Sequence, residues 1–236
     1  MLDSNLDRTP PKHDANWTLG IARDESFPEP AEKGARHLTL GSRETIVDEG
    51  DASRSVYLLL EGAVMLSKLL PDGRRQIIEL LGPGDVFGFS TTARSDVSAE
   101  TLRPARLVAY DRRTVATSPT LQALIAERMN AQLCGLHDHA MLLGRKSAVE
   151  RVATFLMRIV PRRGGMGCAG PGKTGDKVLV KVPLTRQEIA DYLGLTLETV
   201  SRAFSLLKRS GLLVYGRHDE VMIADVCRLC RTTGSH

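Results

Sequence analysis

Three polar side chains near the C-terminus have the types and the spacing to read DNA bases. Glu198, Ser201 and Arg202 share one face of a helix that the apolar periodicity predicts over 197–210. An arginine can donate two hydrogen bonds to O6 and N7 of guanine, and a glutamate can accept one from N4 of cytosine. The alternative is an exposed ion pair within the helix, because residues four apart lie side by side.

A second helix is predicted just before this one, and it would hold the polar face in place. Thr185 and Glu188 have the spacing of a capping box, which predicts where that helix begins. Gly194 predicts its end, because glycine adopts the left-handed conformation at low cost. The small Ala190, Gly194 four residues later and the β-branched Val200 six residues after that are typical of a helix-turn-helix.

The first half of the chain has a different pattern of apolar residues. Residues 37–113 contain short alternating apolar runs separated by glycines, which predicts an antiparallel β-sandwich or barrel. The "PDG" at 71–73 is a hairpin-turn signal. Residues 1–36 show little periodicity and are expected to form a flexible arm.

A long helix is predicted over 114–144, with Ser118 as its cap and Pro119 in its first turn. Its apolar residues recur every three or four positions and form one stripe, which resembles a coiled-coil seam. We therefore expect a dimer seam, the alternative being a helix that packs on its own β domain. The predicted seam residues are Ile125, Met129, Leu133, Leu136, Ala140 and Leu143.

Residues 145–236 form the predicted C-terminal unit. A helix that follows Ser147, a loop rich in Gly and Pro, and a strand at 177–182 precede the helix-turn-helix, and a β-hairpin with its turn near 217–220 follows it. From Lys146 onward the chain holds 15 Lys and Arg against 8 Asp and Glu, a net charge of +7, whereas the preceding residues have a net charge of −3. A basic half beside a nearly neutral one indicates a polyanionic partner.

Other functional classes find little support in the sequence. No apolar run is long enough to cross a bilayer and no secretory signal is evident, so we expect a cytoplasmic protein. Motifs for a serine hydrolase, a phosphate-binding loop or a zinc protease are missing, so we expect no enzymatic activity. Cys134 with His137, and Cys227 with Cys230, offer too few ligands for a metal centre, and we expect no metal.

The stretch "LTRQEIADYLGLTLETVSRAFSLLKRSGLL" resembles the DNA-binding helix pair of the CRP/FNR family of bacterial transcription regulators, and "ETVSR" resembles its FixK-type branch. The resemblance covers about residues 40–225. It implies an α+β fold with an N-terminal antiparallel β-roll of the cupin-like jelly-roll type, a long dimerisation helix and a C-terminal winged helix-turn-helix. It also implies a homodimer that activates transcription with RNA polymerase holoenzyme, in a low-oxygen or nitrogen-fixation type of cascade.

The resemblance also implies roles for individual residues on double-stranded DNA, at a palindrome of the type TTGAT-N4-ATCAA. The residues expected to read bases are Leu197, Glu198, Ser201 and Arg202, with Leu197 against a thymine methyl group. Those expected to contact phosphates position the protein without reading sequence, and they are Thr185, Arg186, Gln187, Thr196, Thr199, Arg209 and Arg217.

The same resemblance raises the question of a ligand in the β-roll. Relatives that bind cyclic nucleotides hold the ribose with a glutamate and the phosphate with an arginine, and alignment places Phe89 and Val97 at those positions. A valine cannot hold a phosphate, and we expect the ring of Phe89 to fill the space of the sugar. Arg94 lies three residues before Val97, which is not the position of the arginine in those relatives. An iron–sulfur cluster normally needs four thiolates, and no cysteine precedes Cys134. We therefore expect no cofactor, the alternative being an unidentified small-molecule or redox effector in the β-roll.

Overall fold

In a computed structural model, the described residues are 27, 29, 30, 34–160, 177–215 and 219–234. The first part is an antiparallel six-stranded sheet that rolls around an apolar interior. Its strands are β1 (Ala35–Leu40), β2 (Thr45–Val47), β3 (Ser55–Leu69), β4 (Arg75–Leu81), β5 (Val86–Phe87) and β6 (Ser98–Asp111). The predicted arm over 1–36 lies almost entirely outside the described residues.

The sheet is organised around its two longest strands. The strand order is β1-β6-β3-β4, with β2 also paired to β6 and β5 to β3. The predicted turn at 71–73 joins β3 to β4, and Gly73 has a φ of 84° there, which glycine adopts without strain. Alternate residues of the strands point inward and form the interior, which includes Leu59, Val64, Leu81 and Leu107.

Two helices follow the β-roll: α1 (Arg112–Thr117) and the long α2 (Pro119–Arg145), which Ser118 caps. The apolar residues of α2 divide into two faces. Leu121, Ile125 and Leu142 are buried within the chain, whereas Met129, Leu133 and Leu136 are 38–50% exposed. The prediction of a single seam is therefore wrong for Ile125, which packs on its own β-roll with 8% exposure. Leu143 is half-buried against the C-terminal core, which also removes it from the exposed face.

The C-terminal unit contains α3 (Ala148–Arg158), β7 (Val178–Lys181), α4 (Arg186–Leu193), α5 (Leu197–Arg209), β8 (Leu213–Tyr215), β9 (Glu220–Ile223) and α6 (Val226–Thr232). The three strands form an antiparallel sheet in the order β7-β9-β8. The sequence did not indicate α6, which carries Cys227 and Cys230. The predicted α+β fold, with a β-roll, a long helix and a helix-turn-helix, is confirmed.

The core of the C-terminal unit continues into the outer face of the β-roll. It includes Phe155, Leu193 and Phe204 together with Ile77 and Leu80 of β4. The two parts therefore share a buried apolar contact. None of the helices in the described ranges is both long enough and apolar enough to span a membrane.

Candidate nucleic-acid interface

The first helix of the pair, α4, begins at the predicted capping box. The N–H of Glu188 donates to Oγ1 of Thr185 at 3.2 Å, and the N–H of Thr185 donates to the carboxylate of Glu188 at 2.7 Å. The hydroxyl of Thr185 also donates to that carboxylate, at 3.0 Å. The capping box is confirmed, and it engages both donors of Thr185. A phosphate at this residue would therefore have to displace Glu188.

The turn between α4 and α5 sets the angle between the two helices. Gly194 has a φ of 60° and a ψ of 44°, so it ends α4 in the predicted left-handed conformation. Ala190 is fully buried, which allows the close crossing of the two helices. Thr196 then caps α5 by accepting from the N–H of Thr199 at 3.2 Å. The predicted helix-turn-helix is confirmed in these details.

One face of α5 is buried and the opposite face is open. Val200, Ala203, Phe204 and Leu207 are each at most 3% exposed, and they hold the helix on α3 and α4. The four residues predicted to read bases are all exposed on the other face, and Leu197 is 39% exposed. The structure therefore brings Leu197, Glu198, Ser201 and Arg202 together on the first turns of α5.

Glu198 and Arg202, the charged pair on this face, are both exposed to solvent. Among the residues that the structure describes, no ion pair joins Glu198 to Arg202. The pKa of Glu198 lies below its ordinary value, because its own backbone N–H and then the hydroxyl of Thr196 hydrogen-bond the carboxylate. Glu198 is therefore an ionised acceptor at neutral pH. The charge of Arg202 also lowers the pKa of Glu198, so the two side chains interact although no ion pair joins them among the described residues. The alternative of an exposed pair within the helix therefore stays a prediction to be tested on DNA.

The residues predicted to contact phosphates have varied surroundings. The guanidinium of Arg186 lies 3.4 Å from the centroid of the Phe204 ring, a cation–π contact that fixes it between the two helices. The amide of Gln187 donates to Asp191 at 2.7 Å. The hydroxyls of Thr196 and Thr199 are 3.0 Å apart, which ties them to each other.

Arg209 is exposed in the last turn of α5, far along the helix from the residues predicted to read bases. Arg217, predicted to lie in the wing, falls outside the described residues. The two strands of the predicted hairpin, β8 and β9, pair as expected.

Arg151 of α3 supports the site and was missed in the sequence. Its guanidinium donates to the carbonyls of Leu143 at 2.7 Å and Leu193 at 2.8 Å, and its Nε donates to the carbonyl of Lys146 at 2.9 Å. It thereby satisfies carbonyls at the C-terminal ends of both α2 and α4, groups that have no partner within their own helices. No local sequence pattern marks a residue that acts across 42 positions.

The β-roll residues that the family resemblance aligns with a cyclic-nucleotide site have mostly apolar surroundings. Val97 is 8% exposed and belongs to the apolar interior with Phe87 and Ala99. The guanidinium of Arg94 donates to the carbonyl of Gly50 at 2.7 Å and is exposed. Phe89 is partly buried against the apolar cluster that contains Leu121 and Ile125 of α2, apart from the cluster that contains Val97.

A β-roll joined by a long helix to an open-faced helix-turn-helix defines a class of protein: the sequence-specific transcription regulators. Residues 37–117 match the family model of the cyclic nucleotide-binding domain, and residues 150–232 match that of the Crp-like helix-turn-helix domain. The chain belongs to the CRP/FNR family and is a DNA-binding transcription activator of the FixK-like kind. Its relatives regulate transcription and are not enzymes, in agreement with the expectation from the sequence.

Named relatives cover most of the chain. The nitrogen fixation regulation protein FixK of Bradyrhizobium diazoefficiens is 38% identical over 198 residues, which are 82% of this chain and 80% of that protein. The transcriptional activatory protein AadR of Rhodopseudomonas palustris is 38% identical over 83% of this chain and 79% of its own. The structure of FixK2 from Bradyrhizobium japonicum is similar with a TM-score of 0.70 and 33% identity, covering 86% of this chain and 98% of that one.

Proposed function

We propose that the protein is a homodimeric activator that binds a palindrome of the type TTGAT-N4-ATCAA, without a cyclic nucleotide or an iron–sulfur cluster. It would act in the cytoplasm with RNA polymerase holoenzyme, in a cascade of the low-oxygen or nitrogen-fixation type. The observation that carries this proposal is the open face of α5, where Glu198 and Arg202 are both exposed. The name of the FixK relative supports the cascade.

The proposed dimer uses the exposed face of α2. Met129, Leu133 and Leu136 are large apolar residues that are 44%, 50% and 38% exposed, and Ala140 lies on the same side. Their spacing of four, three and four residues is that of a coiled-coil seam. A second copy of α2 would cover this face and bring two copies of α5 to the same side of a DNA duplex. Two-fold symmetry in the protein then matches two-fold symmetry in the site.

The base-reading proposal divides the polar face between two kinds of contact. Arg202 would donate to guanine O6 and N7, and Glu198 would accept from cytosine N4. Ser201 and Leu197 would contact the neighbouring positions, with Leu197 against a thymine methyl group. Arg186, Gln187, Thr199 and Arg209 would hold the phosphates, which gives affinity but no sequence preference.

Independence from cyclic nucleotides is supported by the surroundings of Val97. A phosphate placed there would lie against valine, phenylalanine and alanine side chains, and its charge would have no partner. The nearby Arg94 already donates to the carbonyl of Gly50. The competing proposal, an unidentified effector in the β-roll, would be favoured by a small molecule that raises both the melting temperature and the DNA affinity.

The dimer is tested by placing charges on the exposed face of α2. Met129→Glu combined with Leu136→Glu should yield monomers in sedimentation and should weaken binding to a fluorescent palindrome by at least a hundredfold, because two buried unpaired charges cost several kcal/mol. Ala123→Glu combined with Asn130→Glu is the matched control, since both residues are exposed on a different side of α2. An intact dimer in the first variant would exclude this interface.

The effector-free state is tested on the same palindrome with purified protein. Affinity should stay within a factor of two when cyclic AMP is added at millimolar concentration. A tenfold gain, which corresponds to about 1.4 kcal/mol, would show that the β-roll binds the nucleotide after all.

A further inference from the structure

Two arginines of the β-roll form ion pairs with the first helix of the DNA-binding pair. Arg43, in the turn between β1 and β2, holds the carboxylate of Glu188 through both terminal nitrogens, one of them at 3.1 Å. Arg75 of β4 holds Asp191 through Nε and Nη2, each at 2.8 Å. We call these contacts the interdomain ion pairs. They attach to the same short helix, α4, that carries Arg186 and Gln187, the proposed phosphate contacts.

Both carboxylates are largely withdrawn from water. The side-chain exposure is 8% for Glu188 and 10% for Asp191, so the loss of either arginine would leave a nearly buried charge without its partner. Burial by itself raises the pKa of Glu188, but hydrogen bonds from Arg43 and Thr185 outweigh it and hold the pKa below its ordinary value. The pair of Arg43 and Glu188 is therefore charged at neutral pH.

The backbone of Arg43 gives a second, independent observation. Arg43 has a φ of 64°, and it is the one non-glycine residue with a positive φ in the described part of the chain. Arginine is not among the residues that tolerate this conformation well, so the turn stores strain. The N–H of Arg43 donates to the carbonyl of Thr101 at 2.9 Å, which fixes the turn on β6. A glycine or an asparagine would relieve the strain but could not reach Glu188 with a positive charge.

We propose that Arg43 and Arg75 are positioning residues for DNA recognition: they fix the orientation of α4, and with it α5, on the β-roll. The inference rests on the proposed dimer, in which two copies of α5 must lie about 34 Å apart to enter successive major grooves. A shift of a few ångströms between the β-roll and α4 would spoil that separation. It would leave each copy of α5 able to read a single half-site.

The test compares affinity for the palindrome with affinity for a duplex that holds one half-site. Arg43→Asn keeps the left-handed turn at lower strain, and Arg75→Gln keeps the length of the side chain. Each should lower the ratio of the two affinities about tenfold. The half-site affinity and its dependence on salt should stay the same, because neither arginine touches phosphate. Equal losses on both duplexes with a smaller salt slope would overturn the proposal, as would an unchanged or increased ratio.

Arg74→Gln is the matched control. Arg74 neighbours Arg75 and carries the same charge, but it is 76% exposed and pairs with Asp72 within its own turn. Its loss should leave the ratio unchanged. A charge exchange adds a rescue: Arg75→Glu and Asp191→Arg should each lower the ratio, and the double variant should recover it. Failure of the double variant to recover would also overturn the proposal.

Hydrogen exchange in the free protein separates this inference from the proposed dimer. If wild-type protein shows no preference for the palindrome, the proposed function fails. The role of the interdomain ion pairs is then tested by the rates of amide hydrogen exchange alone. Amides in β4 and α4 should then exchange about tenfold faster in Arg43→Asn and Arg75→Gln than in Arg74→Gln. Equal exchange in the three variants would overturn the inference on its own.

Discussion

Helix α5 and the β-roll segment 84–99 differ in whether they present charged side chains to a ligand. On α5, the charged Glu198 and Arg202 are both exposed, as the proposed base-reading surface requires. In the β-roll, Val97 lies in an apolar interior, at the position where the family resemblance led us to look for a phosphate-binding arginine. Both regions match their family models. Because one fold can host different ligand chemistry, function has to be argued from the site and not from the match to a family model.

The largest effect is expected when an arginine replaces Val97 in the interior of the β-roll. Val97→Arg would bury a guanidinium among apolar side chains without a partner, and it should lower the free energy of unfolding by about 3–5 kcal/mol. The measurement is urea denaturation at pH 7. Arg94→Ala is the control and should cost less than about 1 kcal/mol, because its one hydrogen bond is exposed. A stable Val97→Arg variant that binds cyclic AMP would contradict the comparison.

The second effect concerns a buried histidine beside the DNA-binding unit. His139 of α2 stacks on Tyr192 of α4 with ring centroids 4.3 Å apart. Burial, and then the charge of Arg158, lowers its pKa to about 4. The folded state therefore keeps His139 neutral while the unfolded state gains a proton below a pH of about 6.5. Stability should fall between pH 6.5 and 4, by up to about 3 kcal/mol.

His139→Phe keeps the stacking and removes the titration. In urea denaturation, this variant should lose less stability than the wild type between pH 7 and 4.5. Parallel pH profiles of the two proteins would show that His139 is not the group responsible.

A third effect, of opposite sign, belongs to the β-roll. Burial raises the pKa of Glu79 to about 7, although the amide of Gln132 donates to its carboxyl at 2.9 Å. The unfolded state loses this proton near a pH of about 4.3, so the stabilising contribution is present below that pH and is lost as the pH rises through about 7. Glu79→Gln should therefore be more stable than wild type by up to about 3 kcal/mol at pH 8 and equal to it at pH 4. A constant difference across that range would contradict this assignment.

Local patterns made the DNA-binding helices predictable. Capping boxes, a left-handed glycine and apolar spacing each involve residues within one or two turns, so Thr185, Gly194 and Thr196 could be placed from the sequence. The role of Ile125 could not, because its position in the apolar stripe of α2 does not reveal whether a partner copy or its own β-roll covers it.

The residues that support the site could not be predicted from sequence patterns. Arg43 meets Glu188 across 145 positions, and Arg75 meets Asp191 across 116. Contacts at that separation depend on how the two parts of the chain pack. The exposed polar face of α5 was predicted because both the helix and its apolar face are encoded locally.

The central claim is that Glu198 and Arg202 read bases, and a panel of duplexes with single base changes tests it most directly. Affinities of the wild type, Glu198→Ala and Arg202→Ala would be measured on every single-base variant of the TTGAT half-sites. Each alanine variant should lose about 1–3 kcal/mol on the intact site and should lose its preference at one G·C position while keeping it elsewhere. Arg186→Ala provides the contrast: it should weaken binding to all duplexes alike and lower the salt slope by about one phosphate. Equal losses on all duplexes for Glu198→Ala and Arg202→Ala would contradict base reading by this pair.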